Sequence, residues 1–342
     1  NNQLLEIEAG MKGTRIKAIN KTNSDKQSIS LTTNIPLEIG ENEIVIRATN
    51  TNGSTNSIPK IITYKPLQDV DKPDLYIVSV GISKYMHTQY NLNYADNDAE
   101  DFTRVFEEQQ NLHDSKRLFK HIYVKTLTNE KATKANIQRT ILNTKRVAEK
   151  DDLFILHISS HGEMDNNGDF YIRTYDTDPG LDFLSVNGLS NRWLVEEIRD
   201  FDCTVIQFFD ACHSGSGGSD IVMKGRANAL DTETAVRELR QALQSKAVYF
   251  FASSSQQEMS QERKEWKNGA FTEAVLACFA EKEYATLQGN QPIIADLNQD
   301  GYINTDELSS YVSKVVKVVT NGQQHPKATI ENGEPINLYV LD

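Results

Sequence analysis

Short, unbroken apolar runs punctuate the chain from Leu75 onward: Leu75-Tyr-Ile-Val-Ser-Val80, Leu153-Phe-Ile-Leu-His-Ile158 and Cys203-Thr-Val-Ile-Gln-Phe-Phe209. Runs of this length that do not alternate with polar residues read as strands buried on both faces. The pattern predicts strands over 74–81, 121–127, 152–159, 203–209, 246–252 and 337–341. Between them the apolar spacing turns helical. Ala95, Ala99, Phe102 and Phe106 predict a helix over 95–108, and 136–148, 192–199 and 269–280 behave alike. Strands alternating with helices imply an α/β unit, a mostly parallel six-stranded sheet flanked by helices. Functional groups on such sheets gather at the carboxyl ends of the strands.

Residues 1–68 follow another pattern. Leu31-Thr-Thr, Glu43-Ile-Val-Ile-Arg-Ala-Thr and Lys60-Ile-Ile-Thr-Tyr are β-branched runs set between turn residues such as Thr51-Asn-Gly-Ser. They predict a small all-β sandwich of immunoglobulin-like type, without the Cys and Trp pin of antibody domains. A passive spacer or a binding module are its two readings. Gln68-Asp-Val-Asp-Lys-Pro73 reads as the linker, so the second domain is expected over 72–342.

Composition narrows the class. At 342 residues the chain exceeds the usual span of one core, which supports two domains. A net charge of −12 argues against non-specific nucleic-acid binding and fits an enzyme that attracts basic segments. Three cysteines are too few for a disulfide scaffold, which points to a reducing, cytoplasmic setting. No apolar stretch reaches the length of a membrane helix, and residues 1–10 lack the regions of a signal peptide. The chain opens on Asn1, which reads as a fragment whose missing part carries a targeting or sensing module.

The chemistry lies at two predicted strand ends. One carries Asp210-Ala-Cys-His-Ser-Gly215, the other His161-Gly162, with Cys212 and His161 51 positions apart. A thiol becomes a strong nucleophile once an imidazole takes its proton, so Cys212 and His161 are the expected catalytic pair. An inert core thiol is the alternative, and it is the reading given to Cys203 and Cys278. Gly162 lets the backbone approach a substrate, and its N–H with that of Cys212 forms the expected oxyanion site. His213 is expected to point away from Cys212 and to be structural. Asp210 precedes Cys212 by two positions, and Ser159 stands in the same relation to His161. A carboxylate so placed opposes thiolate formation unless a cation joins it, which a substrate Arg or Lys would supply.

Five stretches carry a family likeness: Leu75–Tyr85, Asn97–Ala99, Ser159–Gly162, Phe209–Gly215 and Gly269–Thr272. With them, residues from about Lys72 onward resemble the caspase-like clan of cysteine peptidases, family C14. They are nearer to bacterial metacaspase-like proteins (orthocaspases) than to animal caspases. The caspase pattern of a Gln-Ala-Cys run with its His about 50 residues upstream is kept, except that Asp210 replaces the Gln. The resemblance implies an endopeptidase with a basic S1 pocket built from Asp98, Ser159 and Asp210. Ala95 stands where that family often has Cys, and no arginine cluster for an acidic P1 residue is evident. Asp98 also has a plain reading, as a carboxylate at a helix N-terminus. The expected partners are a protein substrate with a basic P1 residue and an upstream activator, in stress, cell-death or defence signalling. Neither nucleic acid nor membrane is expected. A catalytically silent adaptor of the same fold is the alternative.

Two further segments complete the reading. Asp296, Asn298, Asp300, Tyr302 (through its carbonyl), Asn304 and Glu307 match the ligand positions of a twelve-residue calcium loop, with Gly301 at the turn. Calcium is the expected cofactor there, although Gln288–Pro292 cannot form the usual entering helix. An ion-free turn leading into a helix over 305–318 is the other reading. The Gly-rich stretch 213–245 resembles the activation loop of the clan, with Lys224 and Arg226 as candidate self-cleavage sites of a zymogen. Arg237 and Arg240 are assigned to a solvated helix over 232–244.

Overall fold

A computed structural model describes residues 4–11, 37, 40–50, 53–64, 72–212, 237–238, 247–254, 258, 260–287 and 291–341. The chain divides into two units, Asn1–Asp71 and Lys72–Asp342.

In the first unit β1 (Leu4–Met11) pairs antiparallel with β2 (Gly40–Asn50). The other edge of β2 takes β3 (Gly53–Asn56) and β4 (Lys60–Tyr64) in succession. Ser57 bridges the gap between them through bonds in both directions with the Ile46 backbone. The second sheet of a sandwich is not among the described residues, and the strand expected around Leu31 lies outside them.

The second unit runs β5 (Leu75–Gly81), α1 (Ala95–Gln109), β6 (Ile122–Thr128), α2 (Lys134–Val147), β7 (Leu153–Met164) and β8 (Phe170–Ile172). It continues through α3 (Leu184–Asn187), β9 (Leu189–Ser190), α4 (Asn191–Arg199), β10 (Thr204–Cys212) and β11 (Val248–Ala252). Then follow the hairpins β12 (Glu262–Arg263) with β13 (Asn268–Gly269), α5 (Ala270–Phe279), and β14 (Tyr284–Ala285) with β15 (Pro292–Ile293). The last elements are β16 (Tyr302–Asn304), α6 (Thr305–Val319), β17 (Lys327–Glu331) and β18 (Asn337–Val340).

Six strands form the main path of an eight-stranded sheet, in the order β17-β11-β10-β7-β5-β6, with β8 and β9 added beside the end of β7. β11 through β6 are parallel, and β17 closes the edge antiparallel. The two-residue period of the strands sorts the core into two layers. Leu75, Ile77, Leu153, Ile155, Ile206, Phe208 and Phe251 pack with Phe102 and Phe106 of α1, with α5 and with α6. Val78, Val80, Phe154, Leu156, Ile158, Phe209 and Phe250 pack with Ile137 and Ile141 of α2 and with Leu194 and Ile198 of α4. The same period puts Ser159 and Asp210 on the α1/α5 side, beyond the last apolar layer. There the polar groups meet one another instead of oil.

Two strands depart from the sequence reading. Residues 337–340 are extended as expected but pair with Tyr302–Asn304 in a separate two-stranded sheet. The sixth place in the main sheet goes to Lys327–Glu331, a half-exposed strand with a charge at each end. Charged, partly solvated ends are how sheet edges are protected from further pairing, and they erase the apolar signal of a strand.

Candidate active site

β7 and β10 run side by side for nine residues in parallel register, from Thr204↔Leu153 to Cys212↔His161. The Cα atoms of the expected nucleophile and base are therefore partners on adjacent strands, about 4.8 Å apart across the ladder. One pleat earlier, Asp210 faces Ser159, which in turn faces Gly81 of β5.

His161 is 3% exposed, so its ring is fixed by neighbours and not by water. It stacks on Tyr85 (centroids 5.3 Å apart) and meets the edge of Tyr90 at 6.3 Å. Its Nε2 lies 2.7 Å from the Tyr90 carbonyl oxygen. A carbonyl only accepts, so Nε2 carries the proton and Nδ1 is the basic nitrogen. Tyr85 adds a second restraint, because its hydroxyl accepts the His161 N–H (3.2 Å) and bonds Ser160 Oγ (2.8 Å).

Asp98 and Asp210 are each 1% exposed. Asp98 accepts Ser159 Oγ–H at 2.8 Å and the Gly269 N–H at 2.8 Å. Asp210 accepts from Ser260 Oγ at 2.9 Å, with a longer 3.5 Å approach from Thr272 Oγ1. A Cβ placed on Gly269 would lie 2.7 Å from Asp210 Oδ2 and 3.3 Å from Asp98 Oδ2. Both carboxyls thus converge on one glycine. Burial, then the neighbouring Asp210, holds the Asp98 carboxyl well above the usual carboxylate range. Burial pushes Asp210 up to about 6. A third acid, Glu262, raises both and is itself tied to the start of α1, accepting the N–H groups of Asn93 and Tyr94. Asp98 lies in the first turn of α1, so its helix-terminus role and its place in the acidic cluster coexist.

Other buried titratable groups are inert by comparison. Burial pushes His157 down to about 3, and the ring stacks on Phe102 at 4.3 Å. Burial pushes the Cys278 thiol up, away from reactivity. Cys203 is buried in the core, in keeping with its assignment.

The expected nucleophile and base thus stand at matched ends of parallel strands, beside a buried acidic cluster. The chain belongs to the caspase-domain family, peptidase C14, whose family model matches residues 76–331. Members of that family are cysteine peptidases. Among solved structures it is similar to protein GSU0716 from Geobacter sulfurreducens, at 19% identity and TM-score 0.50 over 77% of this chain and 95% of that one. Caspase-1 from Spodoptera frugiperda shares 13% identity and a TM-score of 0.40 over 76% of this chain and 86% of that one. No curated protein sequence matches the chain.

Several residues here escaped sequence reasoning. Tyr90, Ser260 and Glu262 carry no motif of their own, and Tyr85 only ended a stretch of family likeness. Gly269 and Thr272 were points of family likeness only, and the fold brings both to the carboxyl pair. Gln324, fully buried, donates to the Ser253 carbonyl at 2.8 Å and to Ser260 Oγ at 3.3 Å, steadying the partner of Asp210.

Lys224, Arg226 and Arg240, with most of the expected 232–244 helix, lie outside the described residues, as does His213. The 296–307 loop is described throughout. Asp296 accepts the N–H groups of Gln299 and Gly301, and Asp300 accepts that of Tyr302. Glu307 reaches back to the N–H groups of Leu297 and Asn304, and Asn304 caps α6. Each carboxylate oxygen keeps lone-pair capacity, so the donor types suit a hard cation. Among the described residues, however, no three His, Cys, Asp or Glu side chains gather as a metal cluster. In place of an entering helix the chain forms the β14–β15 hairpin.

Proposed function

We propose that this protein is a cysteine endopeptidase that cleaves after Arg or Lys, with Cys212 as nucleophile and His161 as base. The observation that carries the specificity is the convergence of Asp98 and Asp210, both buried, on Gly269 one pleat before the reacting pair. Two carboxyls held above their normal range gain most when a cation arrives, and a planar guanidinium suits two acceptors better than an ammonium does.

His161 Nδ1 takes the thiol proton, and the Cys212 thiolate adds to the scissile carbonyl carbon. The N–H groups of Cys212 and Gly162 receive the oxyanion. As the C–N bond breaks, the imidazolium gives its proton to the departing amine, leaving a thioester. His161 then draws a proton from water, whose oxygen displaces the thiolate and releases the carboxylic acid. The Nε2–H bond to the Tyr90 carbonyl keeps Nδ1 the working nitrogen throughout.

Matched fluorogenic peptides ending in Arg, Lys or Asp test this reading. Release from the Arg peptide should exceed that from the Asp peptide by at least about a hundredfold. Faster release after Asp would overturn the pocket assignment.

The proposal includes a zymogen cut at Lys224 or Arg226, acting on its substrate at an activator's signal. Incubated alone, the protein should split near these positions, and Lys224→Ala with Arg226→Ala should stay whole. Splitting of the double variant at the same place would remove them as cleavage sites. Calcium enters through the oxygen chemistry of 296–307 alone, and no catalytic step runs through it. Calcium at 1,000 times its dissociation constant should stabilise the fold by about 4 kcal/mol, read as a rise in Tm that Asp300→Ala abolishes. An unchanged Tm would remove the ion from the account.

A further inference from the structure

Among the described residues Arg173 is the largest fully buried side chain, at 1% exposure, and nothing in the peptidase chemistry above uses it. It follows β8 in an otherwise apolar run, Phe170-Tyr-Ile. A cation so deep is costly unless several partners compensate it. Arg173 has them. Its Nε donates to Glu163, its Nη1 donates to the Asp178 carbonyl at 3.1 Å, and its guanidinium carbon lies 4.1 Å from the centroid of the Tyr90 ring. That contact is a desolvated cation–π pair.

Tyr90 is the residue whose carbonyl takes the His161 Nε2–H. Its short helical turn, Thr88–Tyr90, contains no fully buried residue, and Tyr90 packs half-buried against the core beside Tyr85. The loop carrying Arg173 holds it from the other side. The Met86 N–H bonds the Tyr175 carbonyl at 3.1 Å, His87 Nε2 meets Asp178 Oδ1 at 3.3 Å, and Arg173 covers the Tyr90 ring. The same residue grips His161 from the backbone side. Its N–H donates to the His161 carbonyl at 2.8 Å, and its own carbonyl accepts Ser160 Oγ–H at 2.7 Å.

Resting on the peptidase reading above, we propose that Arg173 is a positioning residue for catalysis. Seated on Glu163, it clamps Tyr90 so that the carbonyl of that residue orients the His161 imidazole. It touches neither substrate nor thiol. Its loss misaligns the base while leaving the acidic pocket intact, so it acts on kcat and not on KM. Misplacement by about 1 Å is enough to cost on the order of a hundredfold in rate.

The test is steady-state kinetics on an Arg-ending peptide, with iodoacetamide labelling of Cys212 as a substrate-free readout. Arg173→Met should lower kcat and the labelling rate by about 10- to 100-fold with KM within about twofold, and Arg173→Lys should recover part of the loss. Tyr90→Leu keeps the carbonyl but removes the ring, and it should reproduce the defect. The double variant should be no worse than either single one, because both changes break one clamp. A folded Arg173→Met with wild-type kcat, or a loss confined to KM, overturns the proposal. If Arg173→Met fails to fold, Tyr90→Leu decides, and wild-type kcat in that variant refutes the clamp. Wild-type protein that neither cleaves nor labels would instead refute the peptidase reading, and the clamp with it.

Discussion

Cys212→Ala should lower kcat/KM on an Arg-ending peptide by about 10⁴- to 10⁶-fold, and His161→Ala should do nearly the same. On the proposed mechanism the two residues act as one unit across the β7–β10 ladder, where their Cα atoms are register partners. Removing both should therefore cost little more than removing either. Neither exchange disturbs the buried acidic pair, so a tight-binding basic peptide should still protect both variants against thermal unfolding. Purified protein with each variant, assayed for turnover and for Tm with and without that peptide, separates chemistry from binding. Activity surviving Cys212→Ala would dismiss the mechanism.

Asp210→Asn should produce the second large effect, and of opposite sign in two assays. Catalysis on Arg-ending peptides should fall by about 10²- to 10³-fold, since removing one partner of a buried charge pair costs 2–5 kcal/mol. Stability should rise. Burial pushes the Asp210 carboxyl of the folded protein up to about 6, from an ordinary value of 3.8. A carboxyl whose folded value is raised holds its proton more tightly when folded. Its favourable contribution is complete below about 3.8 and is lost as pH climbs through about 6. Above that, the wild type bears a cost on the order of 3 kcal/mol that the amide does not. The Tm of Asp210→Asn should thus match the wild type near pH 4 and exceed it increasingly up to about pH 7. Agmatine, which carries a guanidinium, should narrow that gap by filling the wild-type pocket. A gap that stays flat with pH would mean that Asp210 is not a strained carboxylate. Such a trade of stability for binding is what a functional site imposes on a fold.

The frame, and the two strand ends that carry Cys212 and His161, were legible because both are local signals. An apolar strand ending in Asp-Ala-Cys, and another ending in Ser-Ser-His-Gly, can each be read from one short window. The parallel sheet then had to bring them together, and the register does so. Helix starts were legible to within two residues from apolar spacing alone, at 95 for α1 and at 136 for α2, which begins at Lys134. What stayed hidden depends on distant partners. The Glu262 bonds to Asn93 and Tyr94 span more than 160 positions, the Gly269 bond to Asp98 spans 171, and the Gln324 bond to Ser260 spans 64. No pattern in a window announces such bonds. β17 was hidden for another reason. As an edge strand it is short, half-solvated and charged at both ends, so it offers no apolar run of the kind that marked the other strands. Arg173 was hidden by its type, since arginine is almost never fully buried unless paired, and its pairing partners appear only in three dimensions.

The most direct measurement of the central claim is a cleavage profile on a peptide library of all P1 residues, read by mass spectrometry for the wild type and for Cys212→Ala. The account predicts cuts after Arg and Lys by the wild type, Arg leading, and none by the variant. Cuts after Asp, or a profile that the variant shares, would contradict it.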